Sequence, residues 1–176
     1  MSRSQIDLLR SSHPRVGSEN KMTWTQLLVP ITLTGTGMAA GGLMITVLGG
    51  VPLLLRLPTD QYVPIHQFLV TRFDPFMPIC MITSLVVDLL LAVVVDEPVS
   101  RIAFGVAAVL LFGAMVISLT KNVPINRWLK TLDPDRLPEN FEEINPRVRW
   151  GRWNSLRTVF VVVALALSAI AVGPLL

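Results

Sequence analysis

Apolar residues in this chain fall into four long runs, and the polar residues gather between them. No charged residue lies between Lys21 and Arg56, and the first run sits inside that window at about residues 27–51. The second, about 76–95, fills the interval from Asp74 to Asp96 and is interrupted only by Asp88. The third covers about 102–120 and the fourth about 153–173. A hydrocarbon core of roughly 30 Å is crossed by about 20 apolar residues in helix. The expectation is therefore an all-α protein, a bundle of four transmembrane helices. Asn145-Pro146 reads as a helix start, since Asn caps and proline fits the first helical position. The last helix is expected as one piece from Pro146 to about Val172, with its first three turns standing clear of the hydrocarbon. Residues 1–23 read as a polar tail whose Ile6, Leu8 and Leu9 can touch the bilayer, and 24–176 as one transmembrane domain.

The connections are unequal. Spans two and three are joined by the short turn DEPVSR, whereas the other two connections are long and in a four-span chain emerge on one face. Ten of the fifteen Lys and Arg residues fall on that long-loop face. The positive-inside rule then favours a multi-pass cell-membrane protein with this face cytoplasmic, although the basic flank of the first span argues the reverse.

Composition agrees with a membrane. The chain is 52% hydrophobic and 15% charged, against about 25% charged in soluble domains. The single Cys80 excludes an intrachain disulfide and a sulfur-rich metal site. Two histidines, His13 and His66, exclude a three-histidine site within one chain and bis-histidine haem in the bundle. The polar first 21 residues and the long apolar run after them argue against a secretory signal. The expected surroundings are a lipid bilayer, with a membrane-protein partner or a second copy as candidate neighbours and no nucleic acid.

Several polar groups break the apolar pattern. Asn122, Pro124 and Asn126 form N-x-P-x-N at the end of span three. Proline removes an N–H and disfavours helix at the preceding residue, so the helix is expected to stop or kink near Asn122. The asparagines then either satisfy the freed backbone groups or hold a ligand. Trp150, Asn154 and Arg157 share one helical face by their spacing of four and three, with Trp153 beside them. Tryptophan and arginine alone would make an interfacial belt, but Asn154 does not belong to one. Asp88, alone inside a span, costs about 2.5–3.5 kcal/mol if ionised and unpaired, and either serves function or glues helices by hydrogen bonds. His66, near Tyr62, Gln67, Arg72 and Asp74, is a general-base candidate on the long-loop face. The small residues Gly35, Gly37, Ala39 and Gly41 suit close helix packing. The acidic run from Asp133 to Glu143 lacks calcium-loop spacing.

NVPIN at 122–126 and W-x-x-x-N-x-x-R-T at Trp150, Asn154, Arg157 and Thr158 resemble motifs of a family of small four-span membrane proteins, a domain-of-unknown-function family that includes the anthrone oxygenases of polyketide pathways. The resemblance implies an oxygenase that oxidises a phenolic, anthrone-type carbon with O₂ and uses no metal or other cofactor. In that scheme His66 takes a proton, Asn122, Asn126, Asn154 and Arg157 hold the oxyanion, and Tyr62, Trp150 and Trp153 wall the aromatic substrate. His66 lies outside the resembling motifs, and its role is argued from chemistry alone. The competing expectation is a non-catalytic small subunit that packs against a larger membrane complex through the glycine face of span one.

Overall fold

The structure, a computed structural model, describes residues 16–175, with side chains from Trp24 onward. The bilayer contact expected of Ile6, Leu8 and Leu9 falls outside the described residues. Helix α1 (Val16–Ile45) passes through a π turn, Thr46–Gly50, into α2 (Val51–Arg56). Two helices, α3 (Thr59–Phe73) and α4 (Phe76–Val94), follow. Helix α5 (Pro98–Ile117) passes through a second π turn, Ser118–Asn122, into α6 (Val123–Lys130). A single turn, α7 (Phe141–Ile144), precedes the long α8 (Arg147–Ile170), which ends in a 3₁₀ turn, Gly173–Leu175. The described residues are all-α, and among them are four helices long and apolar enough to cross a membrane: Trp24–Arg56, Phe76–Val94, Pro98–Lys130 and Phe141–Leu175.

These four pack as a closed ring. Helix α1 lies against α4, α4 against α5, α5 against α8, and α8 against α1. Alanines carry much of the contact, with Ala39, Ala107, Ala114 and Ala164 fully buried around Leu43 and Leu111. The closest approach is at Gly35, where a Cβ would stand 2.5 Å from Ser84 Oγ and 3.3 Å from the Cys80 carbonyl oxygen. Gly37 and Gly41 instead face open space, so the small-residue stripe divides between an inward and an outward side.

Asp88 is fully buried between three helices. Thr32 of α1 donates to one carboxylate oxygen at 2.7 Å and Ser168 of α8 to the other at 3.3 Å. Arg101 turns instead to the Val95 carbonyl at 3.0 Å. Nearby, Glu97 caps α5 by accepting the Val99 and Ser100 amides. The hydrogen bonds from Ser100 hold its carboxyl below the usual range.

Of the stop or kink expected near Asn122, the stop does not occur: the helix continues to Lys130, disturbed only by the wider turn at Ser118–Asn122. The reason is visible in the hydrogen bonding. The Val123 amide bonds the Ser118 carbonyl, five residues back, just before Pro124. A regular α turn would drive the proline ring into the carbonyl four residues back, and the wider turn moves that carbonyl aside. The first π turn repeats the device, with the Val51 amide on the Thr46 carbonyl just before Pro52. The long connection between spans one and two is helical (α2 and α3).

Candidate functional site

The two long connections meet at one end of the ring. Arg147 ties them: its guanidinium donates to the Leu57 carbonyl at 2.8 Å and to Thr59 Oγ1 at 3.3 Å, pairs with Glu142 at 3.6 Å and lies 4.7 Å above the Tyr62 ring. Gln67 ties α3 to α6 by donating to the carbonyls of Leu129 (2.8 Å) and Leu132 (3.0 Å). Asn145 starts α8 by accepting the Arg147 amide at 3.1 Å. Tyr62, Val63, Leu129 and Phe141 fill the space beneath these ties.

Below this roof lies a cavity of about 490 Å³. Most of its wall is hydrocarbon, including Leu43, Leu69, Met77, Met81 and Met115. One end is polar, with His66, Asp74, Ser118, Asn126, Trp150 and Arg157. The hydrogen bonds at that end determine who carries protons. The Trp150 indole N–H, a donor only, gives to Asn126 Oδ1 at 2.8 Å,. That oxygen, now known to be an acceptor, lies 3.3 Å from His66 Nε2. Nε2 must therefore carry the hydrogen, and the lone pair of the neutral ring sits on Nδ1. Nδ1 is buried and has no protein partner. Tyr62 and Trp150 approach the imidazole edge-on, with centroids at 5.4 and 4.6 Å. Burial lowers the His66 pKa from 6.5 to about 4, against the upward pull of the Asn126 hydrogen bond. Burial raises the Tyr62 phenol well above its ordinary value, with Arg147 pulling the other way.

Arg157 is held from below. Asn154 Oδ1 accepts from both Nε (3.1 Å) and Nη2 (2.7 Å), and Ser118 Oγ accepts from Nη1 (2.9 Å). Of the five guanidinium N–H groups, one on each terminal nitrogen is outside these hydrogen bonds, and Arg157 lines the cavity.

The predicted residues therefore separate. His66, Asn126, Trp150 and Arg157 line the cavity. Asn154 and Asn122 are fully buried beside it, Asn154 bracing Arg157 and Asn122 donating to the Trp150 carbonyl at 3.2 Å. Tyr62 stands behind His66, its hydroxyl without a partner. Trp153 lies away from the cavity with Lys121 5.3 Å above its ring. Asp88 is deep in the bundle. Sequence reasoning named Asp74 only as a neighbour of His66, and did not single out Ser118 or the brace Arg147. An Asp or Arg next to a membrane boundary looks like any rim charge, and nothing local marks which rim charges turn inward.

The fold and this end of it define a class: a four-span membrane protein with a cavity that brings together an imidazole, a guanidinium and an indole. The anthrone oxygenase family matches residues 68–167, from α3 through most of α8. The chain belongs to the anthrone oxygenase family. That stretch contains Asn122, Asn126, Trp150, Asn154 and Arg157, and begins two residues after His66. No curated protein and no solved structure matches the chain.

Proposed function

We propose that this protein is a membrane oxygenase that uses O₂ to convert the methylene of a phenolic, anthrone-type aromatic to a ketone, without a resident cofactor. The observation that carries this reading is one cavity lined by both His66, whose buried Nδ1 has no protein partner, and Arg157, which keeps two N–H groups outside its protein hydrogen bonds.

The chemistry follows from these groups. Nδ1 of His66 accepts a proton from the enol tautomer of the substrate. In that tautomer one methylene hydrogen already sits on the ring oxygen as a phenol-type O–H, and the reacting carbon keeps a single C–H. The proton taken by His66 later returns to the peroxide oxygen. A base with a pKa near 4 takes a proton from a phenol, ordinarily about 10, only when the anion is stabilised as it forms. Arg157 supplies that stabilisation with fixed donors in a site shielded from water. The electron-rich anion passes one electron to O₂, and the substrate radical and superoxide join in a C–O bond. The peroxide loses its O–O bond as the remaining C–H proton leaves, giving the ketone and one water. The balance is one methylene and one O₂ to one carbonyl and one H₂O, with all four electrons from the substrate. Trp150 and the methionines offer the ring an apolar wall.

The test is O₂ uptake by purified protein in lipid nanodiscs, with an anthrone as substrate and ¹⁸O₂ as the gas. One labelled oxygen per product and no need for added reductant are expected. His66→Ala should lower the rate about 10²- to 10⁴-fold, the usual contribution of a general base. Turnover that depends on an external reductant would contradict the proposal, as would full activity in His66→Ala.

A further inference from the structure

We infer that the cavity fills from inside the bilayer, through a lateral gap bordered by the π turn of α1, by α4 and by the end of α5, and that its occupant is a neutral, lipid-dissolved aromatic with one polar edge. This rests on reading the cavity as a substrate site.

Three observations converge. First, the cavity wall includes Ile45, Ile82 and Leu119, which are 69%, 47% and 63% exposed and lie on three different spanning helices. Residues that both line a cavity and face outward mark its opening; these three are bare hydrocarbon, and Asp74 is the one charged residue among the lining residues that are exposed. Ile82 lies six residues inside α4 from Phe76, about 9 Å at 1.5 Å per residue, so the gap reaches into the hydrocarbon layer.

Second, the imidazole at the polar end is covered. His66 is 1% exposed, roofed by Tyr62, Leu129 and Phe141 and by the ties from Gln67 and Arg147. The competing opening is at Asp74, whose exposed carboxylate pairs with Lys130 at 3.6 Å. That opening is closed by an ion pair a ligand would have to part, whereas the hydrocarbon gap presents no charge to a neutral ring coming from lipid.

Third, the π turn bordering the gap holds Gly49, which lines the cavity and has nothing within 4 Å of where a Cβ would stand. A larger side chain there has room to fold around and would narrow the gap.

The experiment needs no turnover. Protein in nanodiscs is mixed with 4-bromophenol, a neutral heavy-atom quencher, and Trp150 fluorescence is followed as the difference between each protein and the same protein carrying Trp150→Phe. Saturable quenching is expected, and Gly49→Phe and Ile82→Trp should slow its onset and its reversal at least tenfold. Gly37→Phe, which adds the same bulk to a lipid-facing position that does not line the cavity, should leave both rates unchanged. The membrane-impermeant anion 4-bromobenzenesulfonate should not quench saturably. The inference is overturned by quenching that never saturates, by rates indifferent to Gly49→Phe and Ile82→Trp, or by an anion that enters as fast as the phenol. Gated binding without O₂ consumption would sink the oxygenase reading and leave the route standing. Consumption of O₂ with rates indifferent to the plugs would do the reverse.

Discussion

One oxygen atom, Oδ1 of Asn126, organises the candidate site. It takes the Trp150 hydrogen and thereby compels His66 to present Nε2–H on one side and a bare Nδ1 on the other. Two consequences are measurable. Because burial lowers the folded pKa of His66 from 6.5 to about 4, the unfolded chain holds a proton between those values that the folded chain does not. Stability is therefore full above about pH 6.5 and declines as pH falls towards 4, by on the order of 3 kcal/mol. Thermal melting in detergent from pH 7 to pH 4 should show the decline, and His66→Gln should reduce it. Converting Asn126→Asp keeps an acceptor for both donors but adds a negative charge beside the imidazole. The His66 pKa should then rise, and ring-proton NMR titration should place it above the wild-type value. An unmoved titration would mean that Asn126 does not face the ring. Both side chains were visible in the sequence as polar residues near span ends. Their pairing was not, because His66 and Asn126 are 60 residues apart.

At the scale of elements, each π turn sits against a proline, and the two turns supply Thr46, Gly49, Gly50, Ser118 and Leu119 to the cavity wall. Pro124 was legible as a helix disturbance. Its resolution as a widened turn depended on packing, since continuing the helix lets Ile125 and Leu129 bury under the roof. Pro124→Ala restores the missing N–H and removes the reason for the wide turn. Relaxation to a regular helix would re-aim Ser118 and Asn126, so activity should fall while the melting temperature holds or rises. The glycine stripe makes a sharper test of packing. Gly35→Ala forces a Cβ against Ser84 Oγ and the Cys80 carbonyl and should cost about 1–3 kcal/mol, as overpacking does. Gly37→Ala should change stability by a few tenths of a kcal/mol at most. Melting of both variants in detergent checks the pair, and equal losses would contradict the assigned facing of α1.

For the whole molecule, the ring of four spans gathers both long connections at one end, and Asp88 joins α1, α4 and α8 towards the middle through two hydroxyls. Most of the basic residues lie on the long-connection end, and we propose that this end is cytoplasmic. A cysteine placed at Asp135, in the exposed segment before α7, should be labelled by an impermeant maleimide only after permeabilisation. Cys80, the native thiol, is buried and gives little background. Labelling in intact cells would reverse the orientation and leave the site geometry untouched.

The sequence by itself determined the helical class, the number of spans and the end at which polar groups collect. Those follow from where apolar runs are long enough to satisfy a bilayer, and that property is local and additive along the chain. It also exposed the residues that do not fit a lipid-facing role: Asn122, Asn126, Asn154, Arg157, Asp88 and His66. Only the tertiary structure decided which of them share a cavity, which brace others from behind, and which nitrogen of His66 is bare. Those outcomes depend on contacts between residues dozens of positions apart, and on a rotation of about 100° per residue around each helix. A single widened turn is enough to change which side chain faces in.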